Sequence, residues 1–452
     1  MQGRKQQLAG PLFTGAPIIE KEKKMAQLTT NIGRLKLKNP IILGAGPLSG
    51  TASHIRKCVD AGFGAICAKT STLSYYLQRY PRPLYTLKDY TKKADQPYYV
   101  PNDYMWMHRE HNSVFPADKF VRIVKEASPY CKDHGTVLIG SFAGRGIDEW
   151  QRIVEAYAAA GADAMELNFC CPFPPKGLEE DERNACLGIY FSQHPEEGAA
   201  VIRKLKETVG IPLFPKLGPE ATNFVEMVEI FKQAGADGVS LFANNSTLRI
   251  DIETGRPVNY GPCATTSNHL KSITMKWVSE IAQKVDLPIL SGRGAMRWED
   301  IIEYLMSGAT GVEMCSAVIV RGLRYVKEVL NGVEAFMDRR GYKSVDDLRG
   351  LALKHILSSR QIIDETKALR AVINLKKCIG CRRCLDVCMY DAIQALPKKA
   401  RIVDEKCAGC TLCTQVCPVS AIDVEERDND RDHFRALAWE HKDLLPELFT
   451  DE

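Results

Sequence analysis

Eight short runs of consecutive apolar residues punctuate positions 39 to 317, and amphipathic stretches separate them. The runs lie in NPIILGAG (39–46), DAGFGAICAKT (60–70), TVLIGSFAG (136–144), AGADAMELNF (160–169), IPLFPKLG (211–218), QAGADGVSLFAN (233–244), LPILSGRG (287–294) and MSGATGVEMCSA (306–317). Four of them share one signature, a glycine that ends a helical segment with the strand beginning at once. Between them, DEWQRIVEAYAAAG (148–161), NFVEMVEIFKQAG (223–235) and RWEDIIEYLMSG (297–308) carry apolar residues at helical spacing and finish on glycine, the residue best suited to a helix C-terminus. Unbroken apolar strands alternating with amphipathic helices imply a parallel sheet covered by helices, and eight such units predict an α/β fold closed into a (β/α)8 TIM barrel. An open doubly wound sheet is the alternative, although it seldom needs eight even units.

A barrel gathers its chemistry at the C-terminal ends of its strands. That rule places Lys69, Asn168 to Cys171, Lys216, Asn244, Asn245, Gly292 to Gly294 and Cys315 to Ala317 around one mouth. Residues 71–115 interrupt the rhythm with prolines, eight tyrosines and Trp106, and read as a packed lid over the mouth or as a subunit contact. The pattern divides the chain into an arm (1–24), the barrel (25–341), a helical connector (342–371), a cysteine-rich domain (372–425) and a tail (426–452). Within the tail, DHFRALAWEHKDLLPEL (432–448) has the spacing of a docking helix, with a loosely held terminus as the plainer reading.

Composition changes this picture in one respect. The 452 residues are 45% apolar and carry 60 lysines and arginines against 56 acids, so the net charge of +4 gives no general attraction to nucleic acid or anionic lipid. No apolar run approaches the ~20 residues that span a bilayer. The opening MQGRKQQLAGPLFTGAP lacks the apolar core of a secretory signal, so the expected compartment is the cytoplasm. Sixteen cysteines in a reducing compartment point to metal or thiol chemistry in place of disulfides, and eight of them fall within 378–417.

Those eight form CIGCRRCLDVCM (378–389) and CAGCTLCTQVCP (407–418), each with the spacing C-x-x-C-x-x-C-x-x-x-C. One such run binds three corners of a cubane and lends its fourth cysteine to the other cluster. The expectation is two 4Fe-4S clusters, one on Cys378, Cys381, Cys384 and Cys417, the other on Cys407, Cys410, Cys413 and Cys388. Paired structural zinc sites are the alternative, but they do not need four cysteines in each run. Met389 stands where proline ordinarily follows the fourth cysteine. Lys376, Lys377, Arg382, Arg383, Lys398, Lys399 and Arg401 surround the runs, either as a face for an acidic electron carrier or as a merely solvated one.

With AKT (68–70), ELNFCCP (166–172), FPKLGP (214–219), CSA (315–317) and the double cysteine run in place, the chain resembles the dihydroorotate and dihydropyrimidine dehydrogenases over about residues 30–425. Its barrel-then-ferredoxin order resembles the FMN and iron-sulfur subunits of bacterial NAD-dependent dihydropyrimidine dehydrogenases. The resemblance implies FMN in the barrel mouth and hydride exchange at a C–C bond next to a carbonyl. It implies that Lys216 balances the charge of the reduced flavin and that Lys69 lies between flavin and substrate. A lysine at a strand end, taken alone, is more often a surface charge. The family's general acid matches Cys171, and a free thiol titrating near ~8.5 is mostly protonated at neutral pH. Cys170 stands where the family has serine and reads as small buried filler. Cys186, in ERNACLG, is a rival acid.

The same resemblance implies that the cofactor is held by Ala45, Gly46, Lys69, Thr70, Asn168, Lys216, Gly292, Arg293, Gly294, Cys315 and Ser316. Its phosphate end would meet backbone N–H groups after the seventh and eighth strands. Arg293 departs from the family's paired glycines there, and YGPCAT (260–265) from a glycine-richer loop. Substrate contacts are implied for Asn112, Asn168 and one of Asn244 or Asn245, whose amides suit a carbonyl- or amide-bearing ring. Val114 stands where pyrimidine-specific members have glutamate, which leaves ring N–H groups short of an acceptor and opens the way to a different ring or another conjugated carbonyl compound. GAGPLSG (44–50) and AGRGID (143–148) do not complete a dinucleotide fingerprint. Electrons are therefore expected from an NAD(P)H/flavin electron-input subunit or a ferredoxin, in a homo-dimer or hetero-oligomer. The rival readings are a reductase of another unsaturated cyclic or acyl substrate, and an electron-transfer or scaffold subunit.

Overall fold

Each of the eight apolar runs forms a parallel strand: β1 (Ile41–Leu43), β2 (Ala65–Cys67), β3 (Val137–Ala143), β4 (Ala164–Phe169), β5 (Leu213–Leu217), β6 (Val239–Leu241), β7 (Ile289–Ser291) and β8 (Gly311–Met314). Pairing runs β2-β1-β8-β7-β6-β5-β4-β3, and β2 also pairs with β3, so the sheet closes on itself. All seven residues of β3 and all six of β4 are buried, which is why these segments read as unbroken apolar runs: one face fills the barrel and the other meets helices. These facts come from a computed structural model that describes residues 26–74, 84–88, 104–109, 115–171 and 187–427. The chain divides into two units between His355 and Ile356. The arm over 1–24 and the amphipathic pattern over 432–448 lie outside the described residues.

The helices follow from the same periodicity. In Ile147–Ala159 the buried residues are Trp150, Ile153, Val154 and Tyr157, one face of a helix laid on the barrel. Gly62 and Gly308 sit at φ of +106° and +108°, a left-handed turn that lets a helix stop and the next strand begin without a Cβ in the way. Among the described residues no helix is long and apolar enough to cross a membrane.

One element differs from the sequence reading. Residues 71–115 and 260–265 read as irregular, yet Leu84–Lys88, Met105–Arg109, Cys263–Ser267 and Asn245–Thr247 form an antiparallel sheet in the order 245–247, 263–267, 105–109, 84–88. Met107 pairs with Thr86 on one side and Thr265 on the other. The middle strand depends on a partner far along the chain, and no local pattern announces such a pairing.

The second unit is two short antiparallel pairs, Leu369–Ile373 with Ile422–Glu426 and Ile393–Leu396 with Lys399–Ile402. Two one-turn helices, Arg383–Asp386 and Leu412–Val416, carry Cys384 and Cys413. Its small core is Ala371, Ala392, Ile393, Ala400, Ala421 and Ile422 together with four cysteines, Cys384, Cys407, Cys413 and Cys417. So few apolar side chains make a marginal core on their own, and small domains of this kind usually depend on a bound metal group.

Candidate active site

The strand ends and the antiparallel sheet enclose a cavity of about 540 Å³, within the ordinary range for a small-molecule site. Ala45 and Gly46 after β1, Lys69 after β2, Asn168 and Cys171 at the end of β4, and Lys216 in β5 all line it. So do Gly292 to Gly294 after β7, and Cys315 and Ser316 after β8. Thr70 stands behind this surface, bonded to Ser141 Oγ at 2.8 Å. Of the two adjacent asparagines Asn244 lines the cavity, whereas Asn245 Oδ1 accepts from the Arg293 guanidinium. Asn112, Val114 and Cys186 lie outside the described residues.

At the end of β4 a single amide organises the two cysteines. Asn168 Oδ1 accepts from the backbone N–H of Cys171 at 3.0 Å and of Cys170 at 3.3 Å, and from Cys170 Sγ at 3.3 Å. Its Nδ2 donates to Cys171 Sγ at 3.1 Å and to Thr70 Oγ1 at 3.3 Å. Asn168 therefore uses its amide to fix the thiol loop. The buried Cys170 lies beside Cys171 in this loop. Its thiol, helped by the Asn168 amide and the charge of Lys69 and opposed by burial, pulls the Cys171 thiol down to about 7. Burial drives Cys170 the other way, well above the ordinary thiol value. The pair thus consists of one thiol that stays protonated and one that titrates at neutral pH, lower than the value of a free cysteine expected from the sequence.

Lys216 sits lower in the cavity, with Nζ 2.6 Å from Glu313 Oε2 and 3.0 Å from Glu166 Oε2. Burial alone would lower its pKa, but the two carboxylates outweigh it and hold the ammonium well above its usual range. Ser141 Oγ donates to Glu166 at 2.9 Å and Ser240 Oγ to Glu313 at 2.6 Å. The sequence reading passed over both glutamates. Their signal is a charged residue inside an otherwise apolar strand, AMELNF and GVEM, which calls for a buried partner.

After β7 the backbone leaves no room for side chains. A Cβ on Gly292 would lie 1.9 Å from the carbonyl oxygen of Glu313, and one on Gly294, at φ +80°, 2.4 Å from that of Ser267. Arg293 between them is 5% exposed, and its Nε donates to Thr274 Oγ1 at 2.9 Å. Burial lowers its pKa to about 10, so it stays cationic at neutral pH. On the antiparallel sheet, Tyr85 stacks on Trp106 with centroids 5.1 Å apart, and Asn244 Nδ2 lies 2.7 Å from His108 Nε2. Tyr85, Trp106 and His108 all line the cavity, which gives the aromatic stretch a place in its wall. His108 had no signal in the sequence, because a histidine between Met107 and Arg109 in an irregular-looking stretch is more often a packing residue.

In the second unit the eight cysteines surround two separate cavities. Cys378, Cys381, Cys384 and Cys417 line one; Cys388, Cys407, Cys410 and Cys413 line the other. Backbone N–H groups point at two of the sulfurs, Ala421 N to Cys417 Sγ at 3.2 Å and Ala371 N to Cys407 Sγ at 3.4 Å. All described cysteines are free of disulfides. Met389, in the place of the missing proline, is 74% exposed.

Comparison with known proteins gives two family matches: dihydroorotate dehydrogenase over residues 112–337 and a 4Fe-4S dicluster domain over residues 371–424. The chain is similar to the catalytic subunit of dihydroorotate dehydrogenase B (NAD(+)) of Methanothermobacter thermautotrophicus, 29% identical over 72% of this chain and 98% of the relative. It is also similar to the NAD-dependent dihydropyrimidine dehydrogenase subunit PreA of Escherichia coli K12, 26% identical over 80% of this chain and 85% of the relative. The dihydroorotate dehydrogenase B catalytic subunit of Petrotoga mobilis is 31% identical over 50% of this chain and 73% of its own length.

Proposed function

The chain belongs to the dihydroorotate dehydrogenase family and carries a 4Fe-4S dicluster domain over residues 371–424, and from that premise we propose that this oxidoreductase is a flavin and iron-sulfur enzyme acting on a C–C bond next to a carbonyl. Dihydropyrimidine dehydrogenase-like chemistry is the leading specific form. The observation that carries the reading is Cys171, held by Asn168 at the cavity wall with a thiol that titrates near neutral pH.

The residues fit the implied groups. The glycine pair around the buried, cationic Arg293 gives a close-approach loop suited to a phosphate, with Ser316 nearby on the same cavity. Each four-cysteine cavity supplies the ligand set of one cluster. When bound, FMN would supply hydride transfer and the two clusters single-electron exchange. Within that frame Cys171 donates the proton to the substrate carbon, or removes it in the reverse direction. Asn168 fixes the direction of its sulfur, and Lys69 favours the thiolate that remains after donation. Asn244 and His108 offer polar contacts to a substrate ring. The Tyr85–Trp106 stack favours a flat substrate and supports the second reading, a reductase of another unsaturated cyclic or acyl compound. All three of these relatives are named as subunits, which supports an electron-input partner carrying NAD(P)H and flavin, or a ferredoxin, in a homo-dimer or hetero-oligomer. We place the protein in the cytoplasm.

The test is anaerobic purification, identification of the released flavin by mass, and turnover of uracil and thymine with a reduced viologen dye. Turnover with bound FMN upholds the pyrimidine reading. Bound FMN without pyrimidine turnover moves the assignment to another unsaturated carbonyl compound. A flavin-free protein with full activity in a larger complex favours a scaffold subunit.

A further inference from the structure

Three ionisable side chains share the lower part of the cavity wall. Lys216 from β5 faces Glu166 from β4 and Glu313 from β8, and none of the three side chains is more than 12% exposed. Each carboxylate keeps its other oxygen on a serine hydroxyl, Ser141 for Glu166 and Ser240 for Glu313. Cys67 of β2 is buried beside the group, and burial first, then the charge of Glu166, pushes its thiol well above the ordinary value. One ammonium between two carboxylates carries a net charge of minus one, or zero when one carboxyl holds a proton. Burial raises the proton affinity of Glu166, reinforced by the charge of Glu313 and opposed by that of Lys216. Lys216, which the family resemblance makes a counter-ion to the reduced flavin, also faces two carboxylates of its own.

This matters for any redox group in the cavity, because all three residues line it. Resting on the flavin reading above, we propose that Glu313 is a tuning residue of the flavin site: by sharing Lys216 with Glu166 it cancels the positive charge of that lysine and disfavours the reduced flavin. Oxidised flavin takes up two electrons and one proton to become a reduced anion. A net positive neighbour would stabilise that anion, and a neutral or negative one in a poorly solvated site does not. The reduced flavin is then the stronger donor, which suits delivery of a hydride to an unsaturated carbonyl compound. Glu313 touches Lys216, Ser240 and the cavity but has no place in the proton-donating loop of Cys171, so its effect is separable from that of the general acid.

The experiment compares wild type with Glu313→Gln, which removes the charge and keeps the length. Both are loaded with FMN and titrated anaerobically with dithionite in the presence of a dye of known potential. At equal solution potential, the ratio of reduced to oxidised flavin should rise about tenfold or more in the variant. An unchanged or lowered ratio, with flavin bound one to one, overturns the tuning role and leaves the flavin reading intact. Failure of wild type to bind FMN, read by quenching of flavin fluorescence, overturns the flavin reading and the proposal with it. Should Glu313→Gln not fold, as judged by circular dichroism, Glu313→Met removes the same charge and must shift the ratio in the same direction.

Discussion

Cys171 is the residue on which the proposed chemistry turns, and its surroundings set its pH response. With the thiol pulled down to about 7, the protonated form dominates below that pH and the thiolate above it. A step that needs the proton of Cys171 therefore slows as pH rises through about 7. Alkylation of Cys171 by iodoacetamide, followed by peptide mass, should rise with the same midpoint. Cys170→Ala removes the first cause of the depression, so its midpoint should move upward; an unmoved midpoint would return Cys170 to simple packing. Cys171→Ala should cost about 10²–10⁴-fold in turnover with FMN content unchanged, as loss of a general acid does. The thiol was legible because cysteine, proline and asparagine fall at family positions on a strand end. Glu166 and Glu313 were not, because each looks like an isolated charge in an apolar run until the sheet closes and Lys216 meets both. Arg293 was legible as an oddity between glycines, but its partners Thr274 and Asn245 are brought to it only by the fold.

At the scale of elements, β4 and the helix behind it position the thiol loop. Trp150 meets Phe142 at 5.2 Å, Phe169 at 5.6 Å and Phe191 at 6.0 Å between ring centroids, all edge to face, and is fully buried. Ser192 Oγ donates to Phe169 O at 2.6 Å and Ile189 N to Cys171 O at 3.0 Å, so the chain returns to brace the strand it left. Trp150→Ala should cost about 3–5 kcal/mol of stability, checked by chemical denaturation, and should lower turnover by loosening Asn168. Strands and helices here were readable because burial on both faces forces continuous apolar runs and burial on one face forces helical spacing. The antiparallel sheet escaped notice for the opposite reason: its strands are short, mixed in polarity and paired across long separations, as Ala264 with His108.

For the molecule as a whole, the proposed function gives two units two kinds of electron chemistry, and the cysteine spacing made the dicluster domain of the smaller one legible. Cys381, exposed at the rim of its cavity, is a direct test. Cys381→Ser should reduce the iron content from about eight toward about four per chain and abolish turnover driven by a one-electron donor. Iron and sulfide assays with donor-specific kinetics check it, and unchanged iron would reopen the zinc alternative.

Ring closure has a further consequence, for biosynthesis. Ile41 pairs with Val312, and Leu43 with Met314, so the first strand waits for the last. At the ordinary pace of about 5–20 residues per second, a growing chain spends many seconds as an open, sticky-edged sheet before its final strand leaves the ribosome. The newborn protein is thus most in need of a chaperone just before the eighth barrel strand emerges, and chains cut short of residue 314 are destined for aggregation or proteolysis.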